Sequence, residues 1–299
     1  MSTRLRGLLI ALAGTTAWAF TGILMDLLLS RYPVAPLTLA FWRDLLIALG
    51  LLAILRVVRP AALAITRRDL PFFLAYGFVG LAVFNGLWSY SVRYNGAAVA
   101  VVLAYSSPAF TILLARLFMR EPLTPGKLAA AVLSLAGCAL VAEAHRPEVW
   151  QVNPLGLAVG LASGVAFAGY NLAGRWSARR FASSWTVTAY GFLFAAGGLA
   201  LTQIGGEPFS LGTAWEGWGF LVLLALGPSL VGFGLYMLSL RHLPASVAGL
   251  VAALEPALTA LFAVPILGRG LNGGQWAGAG LIVLAVALAQ GGDPPAASA

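Results

Sequence analysis

The sequence predicts an all-α integral membrane protein with ten transmembrane helices arranged as two inverted five-helix repeats. Three observations lead to it. Of 299 residues, 60% are hydrophobic and only 9% are charged, against roughly 25% charged in a soluble domain. The stretch 94–141, containing Ala97, Leu103, Pro108 and Glu121, recurs as 242–290 at an offset of 148 residues, with Pro256 under Pro108. The basic residues fall unevenly on the short connections between apolar runs.

Taken in order, the spans are set by charged, Pro-rich or Gly-rich breaks in apolarity. Span one, 6–29, follows Arg4 and Arg6. It resembles a secretory leader, but the pattern returns in the second half, so it reads as a retained helix. Span two, 35–58, begins near Pro36 and stops at Arg56 and Arg59. Spans three, 70–92, and four, 95–118, flank Arg93, and span five, 126–143, follows Glu121-Pro122. Span six, 154–175, starts at Pro154; span seven, 184–204, follows Arg179-Arg180; span eight, 217–240, follows Glu216. Spans nine, 244–267, and ten, 273–290, are separated by Gly268 to Gly270. Each approaches the about 20 residues that a helix needs to cross a bilayer. The repeats are 1–143 and 144–292, and 293–299 reads as a disordered tail.

With the N-terminus in the cytoplasm, the inner connections hold thirteen basic residues and the outer ones four. That bias places both termini on the cytoplasmic side. Five spans per half is odd, so the halves run through the membrane in opposite senses. An apolar chain built that way encloses one site between its halves and opens it alternately to either side. The formal charge of +8 would suggest nucleic acid in a soluble chain; here it reports topology, and the bilayer is the partner. The single cysteine, Cys138, sits in an apolar helix as a small packing residue, so there is no disulfide framework and no cysteine metal motif. A Walker A loop, His-Glu-x-x-His and Gly-x-Ser-x-Gly are all absent, so the expectation is no enzyme, no cofactor and no metal.

Glu255 lies ten residues beyond Ala245, about 15 Å along a helix. A carboxylate that deep is costly and points to function: carrying a proton, binding a substrate ammonium, or capping the helix end freed by Pro256. Arg43 sits about 10 Å inside span two, suited either to a substrate carboxylate or to an interior ion pair. Asp44 faces elsewhere on the helix, which makes Asp26 the expected partner. Pro108 and Pro256 each remove a backbone donor and are expected to bend their helices as hinges.

Aromatic and amide residues recur at helical spacing: Trp18 with Gly22, Asn85 with Trp88, Val101 with Tyr105 and Pro108, Phe167 with Tyr170 and Asn171, and Ser229 with Phe233 and Tyr236. With Tyr76 on span three, they form the candidate substrate cavity, rings for the body of an amphiphilic solute and amides for its head. Gly156, Gly160 and Gly164 make a close-packing face. His242 lies in a short loop, where titration near neutrality allows a pH role.

Leu103-Ala104-Tyr105-Ser106-Ser107-Pro108 leading to Arg120-Glu121-Pro122-Leu123, and Leu254-Glu255-Pro256-Ala257-Leu258 leading to Leu267-Gly268, resemble the paired signature of EamA domains in the drug/metabolite transporter superfamily. Trp18 and Arg43 match positions often occupied that way. In overall character the chain is most similar to bacterial aromatic amino-acid exporters of the YddG type. Where the family usually carries Glu after the second Leu-Gly, this chain has Arg269, so the acidic loop residue survives only as Glu121. The resemblance implies export of aromatic and other neutral amino acids or related small metabolites, by a monomer, through a cavity lined by spans one, three, four, six, eight and nine. Multidrug or cationic-compound export is the alternative; the first span lacks the Glu that multidrug members use.

Overall fold

The computed structural model describes residues 2–291 apart from 145, 150–152, 205–210, 212–214 and 269. Arg269 and the tail 293–299 therefore lie outside the described residues. Among those described, the chain is helical with no strand. The helices are α1 (Thr3–Arg31), α2 (Pro36–Val58), α3 (Leu70–Leu74), α4 (Phe84–Ala104), α5 (Ser107–Met119), α6 (Pro125–Val141), α7 (Pro154–Arg180), α8 (Ser184–Ala200), α9 (Trp215–Leu224), α10 (Leu230–Ser239), α11 (Ala245–Ala252), α12 (Glu255–Leu267) and α13 (Gly273–Gly291).

Seven continuous helical stretches among the described residues are long and apolar enough to cross a membrane, and Ser107–Met119, Pro125–Val141 and Gly273–Ala289 are shorter apolar helices. Their starts follow local chemistry. Ser2, Thr124, Asn153 and Ser183 each accept a hydrogen bond from the first turn of α1, α6, α7 and α8, satisfying amides that the helix leaves open. Large apolar side chains such as Val57, Leu117, Phe118 and Val132 point outward. That surface is costly in water and neutral in lipid.

Two expectations need correction. The break between spans three and four falls not at 92–95 but at Gly96, where φ is +78°, a conformation glycine adopts without steric cost. The prolines do not bend continuous helices. Tyr105-Ser106 separate α4 from α5, Ala253-Leu254 separate α11 from α12, and Pro108 and Pro256 lie in the first turn of the helix that follows. There a proline's missing N–H leaves no bond unmade.

A further regularity is absent from the sequence pattern. Ala75–Val83 and Ala225–Ser229 are π-helical, widened turns that are rare and cluster at functional sites. Shifted by 148 residues, the second falls inside the first.

Contacts between helix ends sort the loops into two groups. A Cβ on Gly7 would meet His242; Arg241 bonds the Ala182 carbonyl at 2.7 Å; Arg180 pairs with Asp69 at 3.0 Å; Thr186 bonds Ala62 at 2.7 Å. These ends share the face that carries residues 2–7. Elsewhere Asn153 N–H donates to Asn95 at 2.9 Å, and Asn272 donates to Glu143. Close approach inside the bundle uses glycine. A Cβ on Gly160 would lie 2.5 Å from both Leu103 and Ser91, and one on Gly164 2.5 Å from Ser106, so the GxxxGxxxG face packs α7 onto α4 within the chain.

Candidate functional site

Most of the predicted residues converge on one region between α1, α4, α7, α10 and the π-helical turn after α3. Trp18 meets Phe233 edge-on at 4.4 Å and Tyr236 at 5.1 Å. Tyr76 stacks on Tyr170 at 5.0 Å, and Phe167 stacks on Tyr170 at 5.7 Å. Edge-to-face and offset contacts at these separations suit ring quadrupoles. Trp18, Tyr76, Tyr170, Phe233 and Tyr236 are all buried, so the rings fill the space between them. Phe167 and Phe192, the latter 4.7 Å from Phe233, join the layer.

The amides divide. Tyr236 donates to Asn171 Oδ1 at 2.9 Å, and Asn171 Nδ2 donates to Thr111 at 3.2 Å, so a polar chain crosses from α10 through α7 to α5. Asn85 instead donates to Asp44 Oδ2 at 3.2 Å. Trp88 is half-buried on α4 and makes no ring contact among the described residues.

Arg43 corrects the pairing read from the sequence. Its Nε and Nη2 both donate to Asp44 Oδ1, at 3.0 and 2.8 Å, while Nη1 donates to the Met25 thioether at 3.7 Å. Adjacent side chains leave a helix in different directions, yet the long arginine stem curls back across one residue. Both groups are buried, and that desolvation favours the nearest opposite charge. Asp44 and Met25 are therefore site residues that sequence reasoning missed; the adjacency of Arg43 and Asp44 was the available signal.

Glu255, the first residue of α12, accepts a hydrogen bond from the Tyr105 hydroxyl at 2.5 Å. One partner sits at each helix break, so a single side-chain contact ties the breaks of the two halves together.

His242 sits outside the spans. Burial, then Arg6, Arg241 and Arg175, push its imidazole below the usual histidine range, since both desolvation and neighbouring cations disfavour the charged ring.

The pattern of the EamA-like transporter family matches residues 5–142 and, a second time, residues 154–290. The chain belongs to this family. Its EamA-like relatives are transporters, not enzymes. The chain is 26% identical over 296 residues, 96% of its length and 95% of the relative's, to an uncharacterized inner membrane transporter, YicL, of Salmonella typhimurium. It is 28% identical over 242 residues, 80% of this chain and 77% of the other, to the threonine/homoserine exporter RhtA of Escherichia coli. A probable terminal-alkyne amino-acid exporter of Streptantibioticus cattleyicolor is 32% identical over 131 residues, 44% of this chain and 42% of that one. A solved crystal structure superposes with a TM-score of 0.82 at 22% identity over 96% of each chain, and so shares the fold. This EamA-like chain is a multi-pass membrane transporter.

Proposed function

We propose that the chain crosses a bacterial inner membrane ten times as two inverted repeats, 1–143 and 144–292, with both termini cytoplasmic, and exports aromatic and other neutral amino acids or related small metabolites by alternating access. Glu255 receives the solute's ammonium and Arg43 Nη1 its carboxylate, while Trp18, Tyr76, Tyr105, Tyr170, Phe233 and Tyr236 enclose its body, with Asn85 and Asn171 orienting the polar layer. The observations that carry this reading are two ionisable side chains of opposite sign among the spans: Arg43, buried, with Nη1 on the Met25 thioether at 3.7 Å, and Glu255, half-buried and held by the Tyr105 hydroxyl. A zwitterion needs both charges; in a site of low dielectric each is worth more than in water.

The shared face of residues 2–7, 69, 182 and 242 supports the topology, as does the basic excess on those connections. The doubled family match supports the repeats, and the names of two relatives include amino-acid export. The helix breaks at Tyr105-Ser106 and Ala253-Leu254, rather than bends at Pro108 and Pro256, supply the points about which helix halves rock. A monomer contains the whole site.

The test is counterflow in proteoliposomes with labelled phenylalanine, threonine or methionine. Unlabelled amino acid inside accelerates uptake of label if the reading holds. Uptake indifferent to internal amino acid overturns it, and resistance to cationic drugs that disappears in Glu255→Gln points to the cationic-compound reading.

A further inference from the structure

Away from the aromatic site, on the face that carries residues 2–7, one carboxylate joins the two halves. α5 ends at Arg120 in the left-handed conformation, φ 57°, and this turn directs Glu121 toward the second half. There Glu121 Oε1 accepts the Ala245 N–H at 3.0 Å and Oε2 accepts the Ser246 hydroxyl at 2.5 Å. Residues 245 and 246 open α11, whose own N-cap residue, Pro244, has no capping side chain. Glu121 thus serves as the missing cap, with its negative charge on the positive end of that helix.

The charge is balanced from beneath. Lys127 is fully buried, its ammonium 3.9 Å from Glu121 Oε2 and 3.3 Å from the Pro122 carbonyl. A buried lysine is retained only where such partners compensate its desolvation. The arrangement is one-sided. Shifted by 148 residues, Glu121 becomes Arg269, and a guanidinium has donors but no acceptor with which to cap a helix.

We propose that Glu121 is a gate latch: seated on Lys127, it clasps the start of α11 and holds shut the face that carries the N-terminus, and the transport cycle must release it, whereas the corresponding position of the second half carries an arginine in place of the carboxylate. α11 has eight residues, the first two held by Glu121 and the last next to the break at Ala253-Leu254, so it is a short arm fixed at one end and jointed at the other. Opening this face swings that arm from α5, breaking both contacts to Glu121. The inference holds whatever solute is carried.

The experiment is thiol accessibility in membrane vesicles of defined orientation. The native thiol is removed as Cys138→Ala, and single reporters are placed as Gly249→Cys under the latch, or as Ser91→Cys in the α4–α7 contact. A Cβ at Gly249 has room, its nearest neighbour being Asn171 at 3.4 Å. With a membrane-impermeant thiol reagent applied to the N-terminal face, Glu121→Ala raises labelling of Gly249→Cys about tenfold or more, the factor expected when hydrogen bonds to a charged group are lost, and leaves Ser91→Cys unchanged. Glu121→Gln, which keeps one acceptor, produces a smaller increase and stands in where the alanine variant does not fold. Unchanged labelling of Gly249→Cys in both variants overturns the latch. Equal acceleration at Ser91→Cys also overturns it, because the fold has then loosened everywhere.

Discussion

Replacing Asp44 by Asn tests the site where an ion pair and a transport role compete to explain one arginine. Asp44 Oδ1 takes two donors from Arg43, and Oδ2 takes one from Asn85; the side chains are 7% and 0% exposed. Removing one partner of such a buried pair leaves an uncompensated charge and costs about 3–5 kcal/mol. At about 1.4 kcal/mol per tenfold, Asp44→Asn raises the unfolded population roughly a hundredfold to several thousandfold. Arg43→Gln costs a similar amount, because it strands the carboxylate instead. The pair of changes together restores neutral hydrogen bonding and recovers stability to within about 1 kcal/mol, giving a strongly non-additive cycle. Reversible unfolding in mixed detergent micelles reads stability, and counterflow in proteoliposomes reads transport. If Arg43 binds the solute's carboxylate, the double variant is folded and inactive. Counterflow that returns with stability refutes that role and leaves a purely structural pair; additive losses refute the pairing itself.

Glu255→Gln preserves an acceptor for the Tyr105 hydroxyl, so the fold survives, but half-saturation for an amino acid rises about tenfold or more with loss of the charged contact; an unchanged value in a concentration series rules out ammonium binding there. A Cβ at Gly77 would collide with the Gly191 carbonyl and lie 2.9 Å from the Ala195 amide, and backbone cannot move aside cheaply. Gly77→Ala therefore costs at least about 1–3 kcal/mol, whereas Gly169→Ala, with nothing within 4 Å, is neutral or gains up to about 1 kcal/mol; equal melting of the two variants contradicts the packing argument. Because the imidazole of His242 is held below its usual range, the unfolded chain binds its proton more readily. Its contribution is then fully present above the unfolded value of about 6.5 and is lost as pH falls toward the lowered folded value. His242→Asn flattens that part of a stability profile, and an identical profile in the variant counts against it.

The membrane class, the outer limits of most spans and the repeat were legible along the chain, whereas the breaks at Gly96, Tyr105-Ser106 and Ala253-Leu254 were not. Trp18, Tyr170, Phe233 and Tyr236 were named from helical spacing, and they do meet, together with Tyr76, because residues three and four apart share a face whatever that face later packs against. Trp88 satisfies the same spacing and meets no ring among the described residues, since spacing says nothing about which face turns inward. The pairing of Arg43 failed for a related reason. Cβ directions argue against neighbours along a helix, but a side chain as long as arginine reaches where its Cβ does not point, and burial selected Asp44.

The sequence alone determined that the chain lies in a membrane as helices and that its halves correspond, because hydrocarbon leaves a backbone few other ways to satisfy its polar groups. Only the tertiary structure decided which distant groups meet: Tyr105 with Glu255 at 2.5 Å, Tyr236 with Asn171, Glu121 with the start of α11. It also placed matching π-turns in the third helix of each half. Composition and period are local properties that every window of sequence carries. The partners of a buried polar group are chosen by helices far apart in the chain, through the cost of leaving any of them unmet.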